Sequence, residues 1–358
     1  MKVLFVTIPQ PRNRFVIDLK EGIEKYAEVV WDYTEFWKCE NHYDVIHLHE
    51  VEYMSFDIEA CMYNSDPIPQ ELWKRLIDCL EHWKENSVIV HTRHVQEPHV
   101  RADDEFRKLY KTVFSYCDGM AHFARFSIQQ FKDFYPELPH VHHEVIPHHN
   151  YASLPNNVTR EEARRRMKIH PDAKVMLVFG FIKEDEKPLI REAFKAIPGR
   201  NKVLLAPGWK IQRRKIGYIR LREWVFKLEC RLAALNQKWR INRGFVEDQD
   251  AQYYCNSADF LLTPRIHELN SGNITFGFTF GLVVVGKDSA DIGEILIETG
   301  NPVFNPMDIN SIRKSVNDAL SLNNSGLGKR NQELAHEQYD CDLIARNYIE
   351  LYQVKITS

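Results

Sequence analysis

Short apolar runs alternate along this chain with stretches in which apolar residues recur every three or four positions. Runs at residues 2–8, 29–31, 45–49, 88–92, 119–123 and 144–146 read as buried strands. Between the third and fourth, Leu72, Trp73, Leu76, Ile77, Leu80 and Trp83 fall on one face of a helix predicted over 70–86. A second series follows at 175–181, 202–206, 240–245, 260–262, 282–285 and 302–304. Strands alternating with helical patterns predict mostly parallel sheets covered by helices. Residues 147–157 are polar and proline-containing and read as a linker, after which Thr159-Arg-Glu-Glu162 has the capping-box pattern of a helix start. The pattern predicts a domain over 1–150, a second over 151–330, and a tail over 331–358 in which 334–354 is helical.

The stretch from Leu262 to Val285 is the richest in candidate chemistry. A strand at 260–262 runs into a polar turn, Glu268-Leu-Asn-Ser-Gly272, then an apolar helix-like segment and another buried strand. Free backbone N–H groups and the helix dipole make such a helix start an anion site. Asn270 and Ser271 are expected to cap the helix and donate to a phosphate. The same pattern also fits an ordinary capped strand–loop–helix.

Composition narrows the class. The 358 residues suit two domains, and 44% hydrophobic with 27% charged residues is a globular balance. A formal net charge of -3 gives no signature of nucleic-acid binding. No apolar run reaches the roughly 18–20 residues of a membrane span. The first eight residues read as a buried strand and not as a signal peptide. Seven cysteines without a Cys-x-x-Cys pair read as reduced intracellular thiols.

Several segments together resemble one family. Asp44-Val-Ile-His-Leu-His-Glu50, Val88-Ile-Val-His-Thr-Arg-His94, Asp118-Gly-Met-Ala-His-Phe-Ala-Arg-Phe-Ser127, Val145-Ile-Pro-His148, Phe179-Gly-Phe-Ile-Lys183 with Lys187, Gly244-Phe-Val-Glu-Asp248 and the Asn270-Ser-Gly272 loop follow one another in order. Their order resembles that of GT-B glycosyltransferases, in particular retaining family 4 enzymes and relatives with an Asn-Ser-Gly loop. The resemblance implies an α/β fold of two Rossmann-like domains facing across a cleft. The first would take the acceptor, the second a nucleotide sugar, and the last helix would cross back to the first.

What the resemblance implies for single residues is uneven. Gly180, Lys183, Lys187, Asn270, Ser271 and Gly272 fall where the family binds the donor diphosphate. The acidic run Glu184-Asp-Glu186 intervenes, and a solvated loop of mixed charge is the other reading of this segment. Glu268 matches the first carboxylate of the family's Glu-x7-Glu pair, which contacts the donor sugar. The second falls on Phe276, so the ribose contact needs another group, for which Glu294 is the candidate. His94 matches a histidine near the reacting bond, and a structural histidine is the alternative among sixteen in the chain. Arg12, Arg14 and His99 are placed on the acceptor side. Lys187, Glu268 and His94 are therefore the candidate catalytic residues.

Other clusters weigh less. His140, His142 and Glu144 alternate along one strand face with His143 opposite, yet no ligand-spaced partners accompany them. Asp248-Gln-Asp250 resembles a metal-binding Asp-x-Asp, and an Asp N-cap is the simpler explanation. No metal site and no essential divalent cofactor are expected. Residues 209–240 are long, basic and aromatic. They fit an amphipathic helix with a solvated basic face, or a contact with an anionic membrane or lipid-linked acceptor.

The expectation is a metal-independent retaining transferase. It would move a sugar from a nucleoside-diphosphate sugar to a hydroxyl on a saccharide or lipid-linked acceptor, in surface polysaccharide or glycolipid assembly. Its place would be the cytoplasm or the inner face of the cytoplasmic membrane. A non-catalytic sugar-nucleotide- or partner-binding module and a nucleotide-sugar 2-epimerase are the alternatives.

Overall fold

The computed structural model describes residues 1–98, 100–209, 238–242 and 244–353. The protein divides into two compact units. One comprises Met1–His149, Glu268–Asn270 and Tyr339–Ser358, and the other Asn150–His267 and Ser271–Gln338.

The first unit is built on a parallel sheet of β1 (Lys2–Val6), β2 (Glu28–Trp31), β3 (Val45–Leu48), β4 (Val88–Thr92), β5 (Gly119–His122) and β6 (His142–Val145). The spatial order is β2-β1-β3-β4-β5-β6. Val3 stands opposite Val29 on one side and Val45 on the other. Every residue of β3 and β4 is buried. Strands covered on both faces are mostly apolar, which explains why they read as runs rather than alternations, with His47, His91 and Thr92 as the buried polar exceptions.

Helices α1 (Arg14–Ile23), α2 (Tyr33–Lys38), α3 (Phe56–Asn64), α4 (Gln70–Asn86), α5 (Asp104–Tyr116) and α6 (Arg125–Phe134) connect these strands. α4 spans the residues predicted for it, with Leu76, Cys79, Leu80 and Trp83 buried. The Trp83 indole donates to the Phe36 carbonyl at 2.9 Å, which seats α4 on α2.

The second unit repeats the plan with β7 (Lys174–Leu177), β8 (Lys202–Pro207), β9 (Trp239–Asn242), β10 (Phe260–Leu262), β11 (Val283–Lys287) and β12 (Val303–Phe304), in the order β12-β11-β10-β7-β8-β9. Its described helices are α7 (Arg160–Arg166), α8 (Lys187–Ala196), α9 (Asp248–Ser257), α10 (Asn273–Thr279), α11 (Ala290–Glu298), α12 (Ile309–Asn324) and α13 (Leu327–Glu337). α7 starts on the predicted capping box. The Thr159 hydroxyl accepts from the Glu162 N–H at 3.2 Å, and the Glu162 carboxylate accepts from the Thr159 N–H at 2.9 Å.

The final segment differs from its expectation. In place of one helix over 334–354, α13 ends at Glu337 and α14 runs over Cys341–Leu351. Asp340 makes the break, accepting from the N–H groups of Asp342 and Leu343. α14 belongs to the first unit and packs on α1, where a Cβ added to Gly22 would lie 3.1 Å from the Ala345 Cβ. Beneath it, His47 joins a buried polar chain. Its Nδ1 lies 2.7 Å from the Tyr352 hydroxyl and its Nε2 2.8 Å from that of Thr92, which lies 2.9 Å from the Tyr348 hydroxyl.

In both parallel sheets the order of strand addition reverses at one place. β1 has β2 on one side and β3 on the other, and β7 has β8 and β10. The chain winds away from these strands both ways, leaving a crevice at their carboxyl ends where open α/β sheets bind ligands. Among the described residues no helix is long and apolar enough to cross a membrane.

Candidate functional site

In the second unit the crevice lies between the loops that leave β7 and β10. After β7 the chain turns at Gly180, where φ is 82°. Gly208 faces it with φ 88°, and a Cβ there would sit 2.1 Å from the Gly180 carbonyl oxygen, so only glycine fits. Ile182 then forms a parallel bridge with Trp209.

Two carboxylates of the acidic run beyond it have cationic partners, Glu184 in Lys187 and Glu186 in Arg265. Glu186 is 1% exposed. Its Oε2 accepts from the Lys183 backbone N–H at 2.8 Å, and its Oε1 takes Arg265 Nη1 at 2.6 Å. Arg265 Nη2 donates to the Phe181 carbonyl at 2.7 Å. One guanidinium on the loop after β10 thereby holds the loop after β7 at two points. Arg265 was missed in the sequence; the only hint was a cation just beyond a buried strand and Pro264.

Lys187 opens α8 with its side chain 7% exposed. Its ammonium pairs with Glu184 and lies 5.4 Å from the centroid of the Trp209 ring. The Lys183 side chain is half-buried.

The loop after β10 enters α10 with Ser271, and not Asn270, against its first N–H. The N-cap is Gly272, with no side-chain cap hydrogen bond. Ser271 Oγ lies 3.4 Å from the Asn273 N–H and 3.3 Å from Thr263 Oγ1. Asn273 instead reaches across, donating from Nδ2 to the Phe179 carbonyl at 3.0 Å. Phe276, in the place of the second carboxylate, is 4% exposed and stacks on Phe179 at 4.5 Å, with Tyr151 and Phe280 at 5.5 and 5.2 Å. That position is a wall of aromatic rings and offers no acceptor to a ribose. Glu294 is half-buried in α11, which follows β11, the neighbour of β10.

In the first unit His94 lies two residues beyond β4, its ring edge-on to Phe15 at 5.1 Å and Phe123 at 5.4 Å. Glu268–Asn270 group with this unit. There Asn270 Nδ2 donates to the His94 carbonyl at 2.7 Å, bringing two of the expected site residues together. Glu268 is half-buried. Arg14 pairs with Asp18 one turn along α1, at 2.6 Å, and Arg12 is exposed. His99 and residues 210–237, most of the basic aromatic segment, lie outside the described residues.

The histidines near β6 point apart. His142 meets Glu144 at 2.8 Å, His143 meets His122 at 3.0 Å, and His140 meets the Ser115 carbonyl at 3.1 Å. Asp248 is not an N-cap. Glu247 holds that place without a side-chain cap, and Asp248 and Asp250 lie in the first turn of α9, where carboxylates complement the helix dipole. An open pocket of about 250 Å³ is lined in part by Arg166, Phe245, Tyr253 and Tyr254, and by none of the expected donor-site residues.

Solved structures share this architecture over the full chain. The protein is similar to sucrose-phosphate synthase from Thermosynechococcus elongatus, with a TM-score of 0.71 and 15% identity over 100% of both chains. HepE from Anabaena, in complex with UDP and glucose, gives 0.67 and 13% over 98% of each chain. A glycosyltransferase from Rickettsia africae gives 0.67 and 13% over 100% of this chain and 99% of that one. No protein-family model matches the chain, and no curated protein matches its sequence. The fold is therefore the GT-B fold of glycosyltransferases, as the order of the motifs implied.

Proposed function

We propose that this protein is a glycosyltransferase that moves a sugar from a nucleoside-diphosphate sugar to a hydroxyl acceptor. The crevice between β7 and β10 carries the reading. Lys183, Lys187 and the Asn270-Ser-Gly272 turn come from the loops bounding it, and Arg265 fixes one loop to the other. A departing diphosphate needs positive charge and N–H donors set in place beforehand. Lys187 would exchange Glu184, whose side chain is 49% exposed, for a phosphate oxygen. Glu184 returns to water on that exchange, so the swap is cheap. HepE, one of the similar structures, has been solved with UDP-glucose.

His94 and Glu268 would contact the donor sugar, and Glu294 would take the ribose. The reaction would retain configuration, with a diphosphate oxygen accepting the acceptor proton, no covalent enzyme intermediate and no essential divalent metal. Surface polysaccharide or glycolipid assembly at the inner membrane face is the role this chemistry suits.

A thermal-shift series with UDP, GDP, ADP and dTDP and their sugars, with and without EDTA, tests the donor site. A ligand at a hundredfold excess over Kd adds about 2.7 kcal/mol of stability. A shift with one base, unchanged by EDTA and lost in Lys187→Ala, is expected. No shift with any of them would sink the reading. A second reading, a module that binds sugar nucleotides without turnover, is favoured by the aromatic wall at Phe276. Donor binding without release of free nucleotide upon any acceptor would select it.

A further inference from the structure

Beyond the carboxyl ends of β2 and β3 lies a group of aromatic rings that donor chemistry leaves unused. Phe56 and Tyr63 are each 58% exposed. They stand seven residues apart on α3, two helical turns, and so share one side of it. Tyr33 opens α2 just after β2, and its ring meets that of Phe56 edge-on at 5.6 Å. Tyr53 follows β3, and its hydroxyl lies 3.4 Å from that of Tyr63. The Ile8 N–H, just past β1, donates to the Tyr53 carbonyl at 2.8 Å. That bond ties the aromatic face to the crevice between β1 and β3. Exposed apolar surface concentrated in this way marks a binding face.

Charge says what fits there. α3 carries Asp57 and Glu59 and no Lys or Arg, and Asp66 follows it. Asp57 and Asp66 are exposed on or beside α3. Arg101 reaches the end of α3, donating to the Cys61 and Asp66 carbonyls, but its charge is taken up by Asp103 and Glu105. The charge carried by α3 itself is therefore negative, which disfavours phosphates, uronic acids and anionic bilayers against that helix.

We propose that this face is a platform for an oligosaccharide acceptor that is uncharged or carries amines. The inference rests on the glycosyltransferase reading and names the acceptor class. The negative ring faces attract the polarised C–H groups of a pyranose. Tyrosine hydroxyls and carboxylates at the rim accept hydrogen bonds from sugar hydroxyls or ammonium groups.

The test uses the full chain and its Phe56→Ala, Tyr63→Ala and double variants, with calorimetry against maltotetraose, the glucosamine tetramer and tetragalacturonate. UDP thermal shifts, sedimentation and vesicles containing phosphatidylglycerol are run alongside. Maltotetraose or the glucosamine tetramer is expected to bind, and each substitution to weaken it by about tenfold, the worth of one stacked ring. Tetragalacturonate is expected not to bind, and the UDP shift to stay unchanged in every variant. If no oligosaccharide binds while the UDP shift is intact, the platform is wrong and the donor reading stands. No thermal shift with any of the nucleotides in the unaltered protein defeats the donor reading instead. Vesicle binding or self-association that disappears with Phe56 and Tyr63 would assign the face to a membrane or a second copy and overturn the proposal.

Discussion

Glu186 and Arg265 come from loops after neighbouring strands and meet at 2.6 Å, with the carboxylate 1% exposed. The pair sets the shape of the crevice, since Glu186 also holds the Lys183 backbone and Arg265 the Phe181 carbonyl. Removing one partner leaves a buried charge alone, which costs about 3–5 kcal/mol. Arg265→Ala is thus expected to lower the urea stability of the second unit by that amount. Adding Glu186→Gln should return part of it, because the orphaned charge is gone. A loss of less than about 1 kcal/mol in Arg265→Ala would place the clamp's role elsewhere.

The first unit should be acid-labile for a different reason. Burial holds His47, His49 and His122 well below the ordinary histidine value of 6.5, and His91 and His148 at about 3. An unfolded histidine takes up its proton near 6.5, whereas these five do so only at far lower pH. Their stabilisation is complete above about pH 6.5 and is lost as pH falls, by up to about 1.4 kcal/mol per unit for each group. The urea midpoint of this unit should be flat near neutrality and fall steeply toward pH 5. An unchanged midpoint across that range would contradict the burial of these rings.

Tyr352→Phe tests what holds α14 in place. The substitution keeps the ring and removes the hydroxyl that meets His47 Nδ1. A buried ring nitrogen left without its partner costs about 1–3 kcal/mol. Urea unfolding should show that loss, and amide exchange in α14 should speed up more than in α4. Equal exchange in the two helices would mean that apolar packing alone docks the segment.

Local signals were legible in the sequence. The face of α4, the capping box of α7 and the three residues of β10 depend on neighbours within a few positions, and all three stand where the pattern put them. What failed depends on distant partners. Nothing near Glu186 announces a guanidinium 79 residues away, so a solvated loop of mixed charge stood as the other reading of this segment. The apolar spacing through 334–354 continues across a break that Asp340 imposes, so two helices read as one. At α10 Ser271 does meet the first N–H, that of Asn273, while Asn270 reaches the His94 carbonyl instead and Gly272 holds the N-cap place. The order of motifs carried the fold because it is fixed by the whole chain. The site carried less, because its geometry is set by a few side chains whose partners lie on other loops.

Two glycines separate backbone strain from close approach. Gly199 and Gly208 both hold left-handed backbone, with φ 89° and 88°. A Cβ on Gly199 meets nothing within 4 Å, while one on Gly208 would lie 2.1 Å from the Gly180 carbonyl oxygen. Gly199→Ala should therefore cost only the left-handed penalty of about 1–2 kcal/mol. Gly208→Ala carries the same penalty and must also push away the turn at Gly180, adding about 1–3 kcal/mol of overpacking. That displacement runs directly into the segment carrying Lys183 and Glu186. Urea unfolding of the two variants should differ by the second amount, and the nucleotide thermal shift should survive in Gly199→Ala and be lost in Gly208→Ala. Equal stabilities would mean that the Gly180 turn yields freely, and a nucleotide shift retained in both would detach the donor site from that turn.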